Sequence, residues 1–227
     1  MNQIAKLLDN FNSDNFFVVQ IGAHDGITVD PIFENVKTKG WSGLFVEPVD
    51  YLFKRLKENY KDYDNLLFEN SVIYSKTGYV DFYQYPEESE SDKDFPFGSC
   101  MGSVLPAFDS VAHNKLKYSA SKKQYFAMTF SDLIIKHKVK DIDLLQIDTE
   151  GYDGELICSI DFNLIRPKFI RYEDKHTDNV YKKKLTNVSS RDTIEYLIKN
   201  NYSVSDIDNG YDRLCVCNKV YKSKKIT

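Results

Sequence analysis

The chain has only four cysteines, one tryptophan and six prolines, and no apolar run near the length of a membrane span. Each scarcity excludes something. Cys100, Cys158, Cys215 and Cys217 lack both the paired spacing of a zinc site and the density of a disulfide framework, so reduced thiols are expected. Cys215 and Cys217 alternate as residues on one face of a strand do. A bilayer crossing needs about 20 apolar residues. Neither the body of the chain nor its first 15 residues carries such a run or a signal-peptide core, so the expectation is no membrane span and a cytoplasmic location. Positive charge is not in excess either: 30 Lys and Arg face 34 Asp and Glu. That balance argues against nucleic acid as the partner, although the 219–227 tail is locally basic from Lys219 to Lys225.

What is present is a globular composition over 227 residues, 42% hydrophobic and 28% charged, enough to build one domain over 1–227 with a substantial core. After a short amphipathic helix over 3–11, in the N-terminal 1–15 helical segment, Phe16 to Ile21 is an apolar run that enters the loop Gly22-Ala23-His24-Asp25-Gly26. A helix over Thr28 to Thr38 leads to a second run, Ser42 to Val46, ending in Glu47-Pro48. A helix to Tyr60 and a strand at Asn65 to Glu69 complete βαβαβ, which implies a parallel sheet. The rhythm breaks at Gly78. A strand over Gly78 to Gln84 and a long polar stretch make 78–128 a lid-like insertion, with order returning at Gln124 to Met128. A helix over Ser131 to Lys138 and a fourth core strand, Ile142 to Ile147, follow. Next come a helix over Tyr152 to Ile160, a fifth strand at Lys168 to Tyr172 and a helix over Arg191 to Asn200. An antiparallel pair, Tyr202 to Asp206 and Arg213 to Asn218, closes the fold.

In such an α/β sheet, ligands bind beyond the carboxyl ends of the strands. A dinucleotide loop places a small residue where the pyrophosphate approaches, and here that residue is His24. The substitution disfavours a nicotinamide cofactor and favours one without phosphates, S-adenosylmethionine. Gly22, Ala23, His24, Asp25 and Gly26 then form the cofactor loop. Glu47, about 20 residues further on, is placed to accept ribose hydroxyls, with Pro48 beside it. Gln20 is placed for the amino-acid part of the cofactor, Ser71 for the adenine, and Asp148 at the end of the fourth strand completes the set.

The opening motif, taken with Leu144-Leu145-Gln146-Ile147-Asp148-Thr149-Glu150-Gly151-Tyr152-Asp153, resembles the FkbM family of S-adenosylmethionine-dependent methyltransferases. The likeness covers residues 16 to 206. It implies a Rossmann-like, seven-stranded class I methyltransferase sheet with helices on both faces, and O-methylation, often of sugars or secondary metabolites. Gln20 stands where the family usually has Asp, and Asp153 where Glu is common. The likeness also implies that the small-residue stretch holding Ser99, Met101, Gly102 and Ser103 borders the acceptor.

A sugar hydroxyl is protonated at neutral pH, so methylating it takes a base or a metal. Both routes stay open. Asp148, Glu173 and Asp174 lie at neighbouring strand ends and would suit Mg²⁺ or another divalent cation. Asp148 or His176, with Glu150 nearby, would instead take the proton. His113 would approach from the insertion, and His137 is expected to be exposed. Lys122, Lys123 and Arg171 are candidates for an anionic acceptor, and Tyr83, Tyr85 and Phe97 for stacking on a sugar. The expected acceptor is a hydroxyl of a glycan or sugar-containing small molecule. The alternatives are a small or phosphorylated metabolite, a nicotinamide-dependent sugar oxidoreductase, and a non-catalytic cofactor-binding protein. The oligomeric state stays open, a homo-oligomer included.

Overall fold

The computed structural model describes residues 15–91, 98–106, 120–177 and 187–219. The expected N-terminal helix, Phe97, His113 and the tail beyond Lys219 lie outside them. β1 (Phe17–Ile21), α1 (Phe33–Lys39), β2 (Ser42–Val46), α2 (Asp50–Asn59) and β3 (Leu66–Glu69) form the first half. β4 (Val72–Ile73), β5 (Gly78–Gln84) and β6 (Ser121–Met128) follow. The second half is α3 (Phe130–Lys136), β7 (Leu144–Ile147), α4 (Asp153–Ser159), β8 (Phe169–Glu173), α5 (Ser190–Lys199), β9 (Tyr202–Ile207) and β10 (Asp212–Cys217).

Seven strands make one sheet in the order β3-β2-β1-β7-β8-β10-β9. β1 pairs in parallel with both β2 and β7, and β8 extends β7 in parallel. β10 runs antiparallel between β8 and β9. The chain therefore steps outward from β1 to β3 and restarts on the other side at β7. The point between β1 and β7 is where an open sheet parts its loops and forms a crevice.

Alternation along β1 sends Val19 and Ile21 to one face and Val18 to the other. The first face packs with Leu145, Ile147, Ile170, Tyr172, Cys215 and Cys217 against Phe130, Leu133, Leu156, Ile157 and Leu197 from α3, α4 and α5. The second packs Phe45, Leu144 and Phe169 against Val36 from α1, Leu56 from α2 and Tyr60 just past its C-terminal end. Both faces are covered, as parallel strands require. All four cysteines are free thiols, and Cys215 and Cys217 are buried on one face of β10.

Two expected elements differ. The helix expected from Thr28 begins only at Phe33. Pro31 disfavours helical backbone at Asp30, so residues 28–32 form a loop in which Val29 takes φ 57. The insertion also holds more order than its composition suggests. β6 starts at Ser121, joining β4 in parallel and β5 antiparallel as a second, three-stranded sheet. Its first four residues are exposed, which is why they read as loop.

Candidate active site

Three strands share one pattern, two apolar residues, a polar one, an apolar one, then a site residue. They read Val18-Val19-Gln20-Ile21-Gly22, Leu144-Leu145-Gln146-Ile147-Asp148 and Phe169-Ile170-Arg171-Tyr172-Glu173. Strand register places Gln20 beside Gln146 and Gln146 beside Arg171. This polar row is buried, at 3%, 1% and 9% exposure. Gln20 donates from Nε2 to Asp30 Oδ2 at 3.2 Å, and Arg171 pairs with Asp212 at 2.6 Å. Burial pushes the pKa of Asp30 up to about 6.

Above the row lies a cavity of about 880 Å³ at the carboxyl ends of β1, β7 and β8, a size suited to a small-molecule ligand. Gly22 takes φ 81, and a Cβ there would lie 1.8 Å from the carbonyl oxygen of Asp148, so only glycine fits. Gly22, Ala23, His24, Glu47, Pro48, Gln20, Ser71 and Asp148 all line the cavity. Gln20 Oε1, Ser71 Oγ, Gln146 Oε1 and Asp148 Oδ1 are buried there with no hydrogen-bond partner among the described residues. Orphaned polar atoms of this kind are costly unless a ligand or water meets them. Most are acceptors, so the fitting ligand brings hydroxyl or ammonium donors.

Glu47 accepts from the backbone N–H of Val49 at 2.8 Å through Oε1 and of His24 at 2.9 Å through Oε2. Burial nevertheless pushes its pKa up to about 7. His24, at φ 51, places Nε2 3.1 Å from Ser99 Oγ and 3.7 Å from Cys100 Sγ, tying the loop after β1 to the insertion. Burial opposes a charged ring, but pairing with Asp25 and Cys100 outweighs it and raises the pKa to about 10.

Two residues of the expected loop do not reach the cavity. Asp25 accepts from the N–H groups of Ile27 and Thr28 and closes the turn. Gly26, at φ 76, leaves room for Tyr60, whose hydroxyl donates to the Gly26 carbonyl at 2.9 Å. Of the acceptor-side residues, Ser99, Met101 and Gly102 line the cavity. Ser103 instead donates to the Glu150 carbonyl at 3.0 Å. Glu150 takes φ 51 and Gly151 φ 103. Asp153, fully buried, fixes this turn by accepting from the backbone N–H groups of Thr149 and Gly151 and the Thr149 hydroxyl.

Asp148, Glu150, Glu173 and His176 meet in the cavity. Burial first, then the neighbouring carboxylates, raise the pKa of Asp148 and Glu150 well above the usual range. Asp174 does not join them. Its Oδ2 accepts from Arg213 at 2.6 Å and from the Ser190 hydroxyl at 2.6 Å. Successive strand-end residues point to opposite sides, so Glu173 faces the cavity and Asp174 faces away.

Other expectations also move. His137 is half-buried and pairs with Glu69 at 2.7 Å. Lys122 pairs with Asp81 on the exposed small sheet, and neither it nor Lys123 lines the cavity. The Lys and Arg side chains that do are Arg171 and Lys175, which pairs with Glu173 at 2.7 Å. The aromatic side chains at the wall include Phe82 rather than Tyr83 or Tyr85. Gln146, Asp212 and Lys175 were not singled out from the sequence as site residues. Gln146 carries a local signal, a polar side chain inside an apolar strand, whereas Lys175, two residues past β8, and Asp212, at the start of β10, carry none.

Sheet order, the glycine turn at the β1/β7 crevice and the polar cavity above it define a class I S-adenosylmethionine-dependent methyltransferase fold. The family described as "Methyltransferase FkbM domain" matches residues 20–204, and the chain belongs to it. No curated protein matches the chain. Among solved structures it is similar to the FkbM methyltransferase of Methylobacillus flagellatus KT, with 13% identity and a TM-score of 0.49 over 89% of this chain and 44% of that one. This chain thus spans less than half the length of that protein. It is also similar to fibrillarin of Aeropyrum pernix, solved with natively bound S-adenosyl-L-methionine, at 11% identity and a TM-score of 0.44 over 94% and 72% of the two chains. The Methanococcus jannaschii fibrillarin pre-rRNA processing protein matches at 9% identity with a TM-score of 0.47, over 91% and 68%. Among the described residues, no helix is long and apolar enough to cross a membrane.

Proposed function

We propose that the chain is an O-methyltransferase that moves a methyl group from S-adenosylmethionine to a hydroxyl of a carbohydrate. The observation that carries this reading is the unpartnered Asp148 Oδ1 in a cavity whose other orphaned atoms call for donors. Glu47 would accept the ribose hydroxyls, Ser71 would meet the adenine edge, and Gln20 would meet the ammonium of the amino-acid part. The Gly22 turn lets the backbone approach closely. When bound, S-adenosylmethionine supplies an electrophilic methyl group on a sulfonium.

The chain's own task is to align a hydroxyl, exclude water and remove one proton. Asp148 takes that proton at Oδ1. Ser99, Met101 and Gly102 offer small, close-approach groups for the acceptor. Arg171 and Lys175 are already paired with acids, which favours a neutral sugar over a phosphorylated metabolite.

The test is turnover of S-adenosylmethionine with a panel of glycans and phosphorylated sugars, with the methylated atom located by mass spectrometry and NMR. The expected product carries the methyl on a sugar oxygen. Transfer to nitrogen or carbon, or to phosphorylated metabolites alone, would overturn the reading. Cofactor binding without turnover on any acceptor would favour a binding protein instead. Asp148→Asn is expected to cut turnover by about 10²–10⁴-fold while cofactor binding stays within a few-fold.

A further inference from the structure

The expected acid set for a metal is broken by Asp174, yet its replacement is a mixed set of a different kind. A carboxylate oxygen of Glu150, one of Glu173 and a ring nitrogen of His176 lie within 4.8 Å of one another. Ligands around a divalent ion at ~2.1 Å bonds stand roughly 3–4 Å apart, so a modest closure of these side chains brings the three atoms into one coordination shell. Three different segments hold them. Glu150 sits in the left-handed turn pinned by Ser103 and Asp153, Glu173 ends β8, and His176 lies in the turn after it.

A second observation points to a ligand at the same place. Glu173 is 8% exposed, faces the cavity, and its Oε2 has no hydrogen-bond partner among the described residues. Lys175 occupies only the other oxygen, Oε1, at 2.7 Å. His176 Nε2 is 3.7 Å from Oε2, too far for a hydrogen bond but suited to sharing a cation with it. Register adds charge: Glu173 lies opposite Asp212 on β10 and is followed across β7 by Asp148, so acids outnumber Arg171 and Lys175 around the site.

We infer that Glu150, Glu173 and His176 form a binding site for one divalent transition-metal cation. A nitrogen ligand among carboxylates selects ions such as Mn²⁺ or Zn²⁺ over Mg²⁺, which prefers oxygen alone. The site is read from the protein's side chains and stands apart from the identity of the acceptor.

Titration of the full chain with Mn²⁺ alone, without cofactor or acceptor, followed by electron paramagnetic resonance of free Mn²⁺, tests it. Saturable binding of one ion per chain is expected, tighter for Mn²⁺ than for Mg²⁺ in competition. Glu173→Gln and His176→Asn are each expected to weaken it by about 10-fold or more. Thermal unfolding of both variants separates lost ligands from lost fold, and His176→Asn, at a half-buried turn position, is the variant that keeps the fold. Absence of saturable binding in the wild type, or binding unchanged in folded His176→Asn, would overturn the site.

Discussion

The carbonyl oxygen of Asp148 occupies the space that a side chain on Gly22 would need, 1.8 Å from the position of its Cβ. The loop after β1 and the loop after β7 are therefore locked together at the crevice between the two strands. Gly22→Ala combines this overlap with a disfavoured φ. It is expected to destabilise the fold by about 2 kcal/mol or more and to abolish cofactor binding. Chemical denaturation and S-adenosylhomocysteine titration on the same variant measure both.

Glu47 makes stability depend on pH. Its folded pKa is raised by burial from 4.5 to about 7, so the fold favours the protonated acid. That contribution is complete below pH 4.5 and is lost as the pH rises through about 7. Asp30, raised to about 6, acts in the same direction. Between pH 5 and 8 the wild type is expected to lose on the order of 3 kcal/mol more stability than Glu47→Gln. Urea denaturation across this range checks the difference.

Arg171 and Asp212 are a buried pair at 2.6 Å. Arg171→Met leaves a buried carboxylate without its main cation and is expected to cost about 3–5 kcal/mol. Combining it with Asp212→Asn should recover part of the loss, and a double-mutant cycle gives the coupling directly.

On the proposed reading, Ser103 acts as a positioning residue. Its hydroxyl donates to the Glu150 carbonyl and accepts from the Leu105 N–H. Ser103→Ala is expected to cost about 1 kcal/mol of stability and to lower kcat while cofactor affinity holds. Ser103→Thr, which keeps the hydroxyl, should restore kcat. A purely structural role would leave kcat unchanged in the folded Ala variant.

Much of this was legible because strand ends carry local signals. The apolar runs, the glycine turn after β1 and Glu47 after β2 report the sheet and several of the residues that line its crevice without tertiary information. The misplacements have physical causes. Asp30-Pro31 delays α1, although the periodicity of Val29, Ile32, Phe33 and Val36 continues through it. Glu173 and Asp174 look equivalent in the sequence, but strand alternation sends one to the cavity and the other to Arg213, 39 residues away. His137 and Glu69 are 68 residues apart, a pairing that no local pattern encodes. The row of Gln20, Gln146 and Arg171 was visible as a repeated pattern, yet only register shows that the three are neighbours.

On the proposed reading, the crevice between β1 and β7 holds S-adenosylmethionine through Glu47 and the Gly22 turn. Isothermal titration with S-adenosylhomocysteine, on the wild type and on Glu47→Ala, tests it most directly. Saturable binding of one molecule per chain is expected, weakened by about 10-fold or more in Glu47→Ala, with no binding of NAD. Failure of the wild type to bind, or equal binding by a folded Glu47→Ala variant, would contradict it.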